Sequence, residues 1–139
     1  MQKLIIDTNI IVSALISNSI PTKILFDLVL TKEVTTCLTE EIFAEYVEVL
    51  NRDKFIKYIN FKSKAEVVLN KLREISIFYK TEKNVDILTD SSDNKFLDLS
   101  IVCSADYLIT GNILDFTITE FENTKILTPR EYWKNYTPK

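Results

Sequence analysis

The chain has 139 residues, of which 46% are hydrophobic and 27% are charged, and its formal net charge is −3. These values predict a single globular domain over residues 1–139, and the mild acidity argues against a broad basic surface for nucleic acid. No apolar run approaches the roughly 18 residues of a membrane span, and Cys37 and Cys103 lie in apolar segments typical of buried thiols in a reducing compartment. We therefore expect a cytoplasmic protein.

Segments with strand and helix patterns alternate along the chain. We predict strands at residues 3–7, 34–38, 75–79, 107–110 and 125–127, and helices from Pro21, over 42–50, 63–74 and 96–103, and from Pro129 to about Tyr136. Thr39 and Ser63 are the predicted caps of their helices. The helix after Asp93 is apolar almost all round and should be buried on several sides. The alternation predicts an α/β fold, a three-layer α/β/α sandwich with a mainly parallel sheet of about five strands.

Basic residues are concentrated in the middle of the chain, between positions 52 and 73. The pattern favours a solvated helix face over a binding stripe. The residues concerned are Arg52, Lys54, Lys57, Lys62, Lys64, Lys71 and Arg73.

Acidic residues recur where the chain can bring them to one edge of the sheet. Asp7 ends the first strand, at the edge where open α/β sheets bind ligands. Glu45 lies nearer to the apolar face of its helix than Glu41 does, although solvent exposure is the common outcome for such a residue. Asp93 precedes a buried helix that also contains Asp98, and buried carboxylates are costly unless a cation shares their site.

A polar turn follows the fourth strand, at the same predicted edge as Asp7. It contains Thr110, Gly111, Asn112 and Asp115. Gly111 is the chain's only glycine, which indicates a positive φ or a close backbone approach. Converging carboxylates in a chain without histidine predict a site for Mg²⁺ or Mn²⁺, and such sites serve phosphoryl chemistry.

Four segments together resemble the PIN domain, and more narrowly the PIN-family toxins of bacterial toxin–antitoxin systems. They are Asp7-Thr8-Asn9, Thr39 with Glu45, the run 90–97 that begins at Asp90, and the run 105–112. The resemblance implies a five-stranded parallel sheet, a Mg²⁺- or Mn²⁺-dependent endoribonuclease acting on RNA, and an antitoxin partner.

Position by position, the resemblance assigns an acidic quartet and accompanying polar residues. The quartet is Asp7, Glu45, Asp93 and Asp115, and the polar positions are Asn9 and Thr110. Asn112 is an alternative to Asp115, and Asp90 and Asp98 are additional acids without an assigned part.

Two other functions stay open at this point, together with a possible homodimer that would join two RNA-binding surfaces. A phosphatase with Asp7 as nucleophile would usually carry a second aspartate where this chain has Asn9. A PIN-like module that only binds RNA or protein is the second alternative, and the acidic composition is compatible with it.

Overall fold

The computed structural model describes residues 1–82, 93–111 and 118–138. Within these residues the strands are β1 (Lys3–Ile6), β2 (Thr35–Leu38), β3 (Ile77–Phe78), β4 (Tyr107–Ile109), β5 (Glu120–Phe121) and β6 (Thr124–Leu127). The helices are α1 (Thr8–Ile16), α2 (Ile20–Lys23) with a π-helix (Ile24–Val29), α3 (Glu40–Leu50), a 3₁₀ turn (Asp53–Phe55), α4 (Phe61–Ile75), α5 (Asn94–Cys103) and α6 (Pro129–Asn135).

The described strands form one sheet in the order β3-β2-β1-β4-β6-β5, and only the short edge strand β5 is antiparallel to its neighbour. The chain moves from β1 through β2 to β3 in one direction, and α5 then carries it back across the sheet to β4. Right-handed crossovers therefore place α1–α4 on one face and α5 on the other. The contacts agree, because α1, α3 and α4 touch one another while α5 packs on β1 and β2. The three-layer prediction is thus confirmed.

Local sequence explains where several elements begin. The strand β1 is apolar from Leu4 to Ile6 and is buried on both faces, as expected for the centre of a parallel sheet. The Thr39 side chain accepts a hydrogen bond from the Ile42 amide and so caps α3 as predicted. Thr128 and Glu131 form a reciprocal capping box at the start of α6.

Several predicted elements differ from those observed. The helix α1 was not predicted, because its residues carry almost no polar face: mostly apolar side chains follow Thr8. The helix after Pro21 continues as a π-helix, and α4 begins at Phe61 with Asn60, not Ser63, at the N-cap position. The sheet also has one more described strand than expected, since β5 forms a short antiparallel pair with β6.

Two further expectations about α5 and its surroundings need correction. The first part of α5 is buried, but Ile101 and Val102 near its end are exposed by 47% and 44%, so the helix is not covered all round. Gly111 has no positive φ, and a Cβ there would meet Ile10 at an ordinary 3.7 Å. The glycine is therefore not required by backbone geometry.

The two cysteines lie together in the core. Cys37 on β2 and Cys103 on α5 are both buried and unoxidised, as the sequence predicts. Their mutual hydrogen bond, followed by burial, raises the pKa of Cys37, so its thiol stays protonated at neutral pH. In the described parts of the chain no single helix is long and apolar enough to cross a membrane. Only the bent pair of Thr8–Ile16 with Ile20–Val29 would suffice in length and composition.

Candidate active site

Asp7 lies at the carboxyl edge of the sheet, between two central strands. It follows β1 directly, and Thr110 follows the neighbouring strand β4 in the same register. The Asp7 amide donates to the Ile109 carbonyl at 3.0 Å, and the Thr110 hydroxyl donates to Oδ2 of Asp7 at 2.7 Å. Asp7 occupies the N-cap position of α1 but does not form the usual side-chain cap hydrogen bond. Its best-defined side-chain partner is the Thr110 hydroxyl on the neighbouring strand.

The environment of Asp7 disfavours its charged form. Its side chain is almost wholly buried, and this desolvation is the main cause that raises its pKa. The negative charge of Glu45 raises the pKa further, whereas the hydrogen bond from Thr110 and the amide groups of Thr8 and Asn9 lower it. The charged form of Asp7 is thus disfavoured chiefly by burial and to a smaller extent by the charge of Glu45, and a cation beside the carboxylate would offset both effects.

Glu45 reaches the same place from the helix α3. The Thr8 hydroxyl, at the start of α1, donates to Oε2 of Glu45. The Lys95 ammonium on α5 lies 2.8 Å from Oε1, with side chains only 13% exposed for Lys95 and 31% for Glu45. Glu45 is thus fixed by both of its oxygens, one to a hydroxyl and one to a cation, in a largely desolvated position.

Tyr46 connects the helix that carries Glu45 to the strand that precedes Asp7. The phenol is fully buried, and its hydroxyl donates to the Ile6 carbonyl at the end of β1. Burial raises its pKa well above the usual value, and the charges of Asp7 and Glu45 add to this effect. The neutral phenol therefore anchors α3 to β1 and keeps Glu45 next to Asp7.

Asp7, Thr8 and Glu45 line one cleft of about 290 Å³. One wall carries the acids Asp7, Glu45 and Asp93, and the exposed Asn9 also lines the cleft. Arg52 and Lys54, which follow α3, line it as well together with Phe55. The cleft is therefore lined by both acidic and basic side chains, a composition suited to a cation beside a phosphate, and the Arg52 guanidinium also pairs with Glu48 at 2.8 Å.

The remaining predicted site residues lie elsewhere or outside the described residues. Asp93 precedes α5 and borders the cleft, but Asp98, one turn further along α5, is buried and does not border it. Asp90, Asn112 and Asp115 fall in the segments that are not described. Within residues 1–82, 93–111 and 118–138, no three Asp, Glu or Cys side chains meet closely enough to hold a metal ion.

Sequence reasoning missed one residue that lines the cleft, Thr8, and one that pairs with a residue of the cleft, Lys95. Thr8 and Lys95 stood within the motifs but received no part, because neither a hydroxyl nor an ammonium is a typical ligand of a hard cation. Their signal was position: Thr8 follows the strand-end acid directly, and Lys95 lies two residues after Asp93. Arg52 and Lys54 were placed in a solvated helix face, whereas they border the acidic site.

Comparison with known proteins is consistent with this architecture. A family model for the PIN domain matches residues 3–114. The chain is also 30% identical over 144 aligned positions to the uncharacterized protein MJ1680 of Methanocaldococcus jannaschii, and the alignment covers 96% of this chain and 91% of that protein. The family model spans β1 to β4 and thus includes the whole described cleft. The chain belongs to the PIN-domain family, whose members are typically nucleases.

Proposed function

We propose that this protein is a divalent-metal-dependent endoribonuclease that hydrolyses RNA phosphodiester bonds, and that it acts as the toxin of a toxin–antitoxin pair. The observation that supports the nuclease most directly is the pair formed by Asp7 and Glu45. Both are carboxylates at the carboxyl edge of a parallel sheet, and each is held by a threonine hydroxyl. Their mutual repulsion is the kind that a bound cation relieves.

The donor chemistry of the cleft fits Mg²⁺ or Mn²⁺. Hard divalent cations prefer oxygen ligands, and the cleft offers the carboxylates of Asp7, Glu45 and Asp93. We propose these three acids as ligands together with Asp115, or Asn112 as its alternative, because the described acids do not form a closed ligand set by themselves. Such an ion supplies Lewis acidity, which activates water and stabilises the charge on the leaving oxygen.

The chain's own residues orient the reacting groups. The Thr110 hydroxyl fixes one oxygen of Asp7, and the Thr8 hydroxyl fixes one oxygen of Glu45. Lys95 balances the charge of Glu45 at 2.8 Å. Asn9 is exposed and lines the cleft, and we propose that its amide hydrogen-bonds a phosphate oxygen of the substrate.

Conservative replacements of the acids test the proposal. Asp7→Asn, Glu45→Gln and Asp93→Asn should each lower Mn²⁺-dependent cleavage of single-stranded RNA by about 100-fold or more, because each removes a charge that the transition state needs. Glu41→Gln is the matched control, since Glu41 is exposed on the same helix as Glu45 and lies outside the cleft. Circular dichroism checks that every variant is folded. Full activity in Asp7→Asn or Asp93→Asn would refute the assignment.

A binding module without catalysis is the second candidate. The ion pair between Lys95 and Glu45 favours it, because the chain itself supplies a cation next to one of the carboxylates. Titration with Mn²⁺, followed by calorimetry, separates the two functions. Failure to bind at millimolar concentration would support the module and contradict the nuclease.

The toxin role calls for a separate experiment. Induced expression of the wild-type chain in a bacterial host should arrest growth, and expression of Asp7→Asn at the same level should not. Growth that continues in both cases would contradict the toxin role and leave the nuclease activity to be judged by the cleavage assay.

A further inference from the structure

We propose that residues 51–64, which comprise the connection between α3 and α4 and the first turn of α4, form the surface that binds a single-stranded RNA and leads it into the acidic cleft. This inference rests on the proposed nuclease function and specifies how its substrate is held. According to this inference, the protein binds several nucleotides of an extended strand and not only the phosphodiester that is cleaved.

A groove on this connection joins the active-site cleft. We call it the α3–α4 groove; it has a volume of about 580 Å³. Its lining includes Arg52, Phe55, Ile56, Tyr58, Phe61 and Lys62. Arg52 and Phe55 line both the groove and the acidic cleft. The groove and the cleft are therefore neighbours on the surface, separated by Arg52 and Phe55, so that an extended strand could contact both.

The charge of this segment differs from that of the rest of the protein. Between residues 51 and 64 the sequence has five of its 17 basic residues and one of its 20 acidic residues, although the whole chain has a net charge of −3. Arg52 and Lys54 reach the cleft itself. In the groove lining itself, Arg52 and Lys62 are matched by Asp53 and Glu66, and Arg52 also pairs with Glu48. The positive surplus of the segment therefore comes from Lys54, Lys57 and Lys64, which lie outside the groove lining and are available to phosphates of a bound strand.

Apolar and aromatic side chains supply the second component of single-strand recognition. Ile56 and Ile59 are 76% and 84% exposed, which is unusual for isoleucine. Phe55 and Phe61 stack at 4.8 Å between ring centroids but are themselves buried. The aromatic ring open to solvent is the half-buried Tyr58, and the Lys57 ammonium lies 5.4 Å from its centroid. Unpaired bases bind to surfaces that combine apolar contact with nearby cations.

Not every basic residue of the predicted cluster belongs to this surface. The Arg73 guanidinium lies between the rings of Phe43 and Phe78, at 4.3 and 4.6 Å from their centroids, and pairs with Glu40. Arg73 therefore joins α3, α4 and β3 as part of the framework. The segment 51–64 instead spans a 3₁₀ turn, a connection and the first turn of α4, so it is not one solvated helix face.

Binding of a short fluorescein-labelled single-stranded RNA, measured by anisotropy in EDTA, tests the proposal without any cleavage. The double variant Lys57→Glu/Lys62→Glu changes two exposed side chains of the basic segment. Loss of two phosphate contacts should lower the salt-dependence slope by about 1.4 and the affinity on the order of 20-fold at about 0.1 M salt. The control Lys32→Glu/Lys134→Glu makes the same change in net charge at exposed positions away from the groove and should bind like the wild type.

The results separate this inference from the proposed function. RNA binding that is unchanged in Lys57→Glu/Lys62→Glu, or absent from the wild type, would overturn the inference even if the acids cleave RNA. Binding as expected in a protein that cleaves nothing would refute the nuclease and keep the inference. A third outcome is a dimer that Ile56→Ser/Ile59→Ser converts to a monomer with unchanged RNA affinity. That result would assign the groove to a second copy of the chain and overturn the inference.

Discussion

Replacing Asp7 by asparagine is expected to stabilise the protein at neutral pH while removing its response to metal. The carboxylate is buried and repelled by Glu45, and these two causes raise its pKa. Asparagine has nearly the same shape, and its Oδ1 can still accept the hydrogen bond that Thr110 now donates at 2.7 Å. The variant therefore removes a buried charge and leaves the Thr110 hydroxyl with an acceptor.

The pH dependence of the effect follows from the direction of the shift. Because the folded state binds the Asp7 proton more tightly than the unfolded chain does, wild-type stability from this group is complete below pH 3.8 and is lost as the pH rises through the folded-state pKa. Asp7→Asn has no carboxyl group at this position, so its stability does not fall for this reason as the pH rises. The variant should be no more stable than the wild type near pH 3.8. At neutral pH it should be more stable by about 1.4 kcal/mol for each unit by which the pKa of Asp7 is raised.

Thermal unfolding of both proteins in EDTA between pH 4 and pH 8 measures this difference. The two proteins share every other titrating group. The difference between their free energies of unfolding at each pH therefore reports on Asp7. Addition of Mn²⁺ at ten times its dissociation constant should stabilise the wild type by about 1.4 kcal/mol and the variant much less. An Asp7→Asn protein that is less stable than the wild type at pH 7 in EDTA would refute the reasoning, because burying the Asp7 charge would then cost less than the contacts of its carboxylate contribute.

Three further replacements give distinct results. Lys95→Met removes the cation beside Glu45 and should lower the free energy of unfolding by about 1 kcal/mol in EDTA. Added Mn²⁺ should make the difference in unfolding free energy between wild type and variant smaller. A larger difference with Mn²⁺ would contradict the role of Lys95 as a counter-ion. Tyr46→Phe leaves the Ile6 carbonyl without its buried donor and should cost about 1–2 kcal/mol in urea unfolding; an unchanged midpoint would show that the bond contributes nothing. Thr39→Ala removes the cap of α3 and should cost about 1 kcal/mol in the same assay, which a cost near zero would contradict.

The central layers of the fold could be predicted because burial leaves a strong pattern in the sequence. The apolar runs of β1 and β4 and the cap at Thr39 are local signals, and each appears in the structure where it was expected. The helix α1 was missed for a physical reason. It is covered by α2 and α3, so its residues lack the polar face that distinguishes an amphipathic helix from a buried strand.

The site could be predicted only in part. The end of a strand can be recognised from neighbouring residues, whereas the rotation of a helix about its axis depends on contacts with distant parts of the chain. The placement of Asp7 and Thr110 at one edge follows from the ends of two neighbouring parallel strands. Whether Glu45 turns inward depends on how α3 rolls on the sheet, which Tyr46 decides through its bond to Ile6. The contact between Glu45 and Lys95 joins opposite layers, and no spacing rule along the chain could reveal it.

The scarcity of glycine has a consequence for engineering this protein. Within the described residues, the left-handed backbone positions are occupied by Lys32, Asn60, Ser104 and Glu122, with φ between 52° and 65°. For residues other than glycine and asparagine this conformation costs about 1 kcal/mol. Replacing Lys32, Ser104 or Glu122 by glycine should therefore stabilise the protein, and none of these residues lines the acidic cleft.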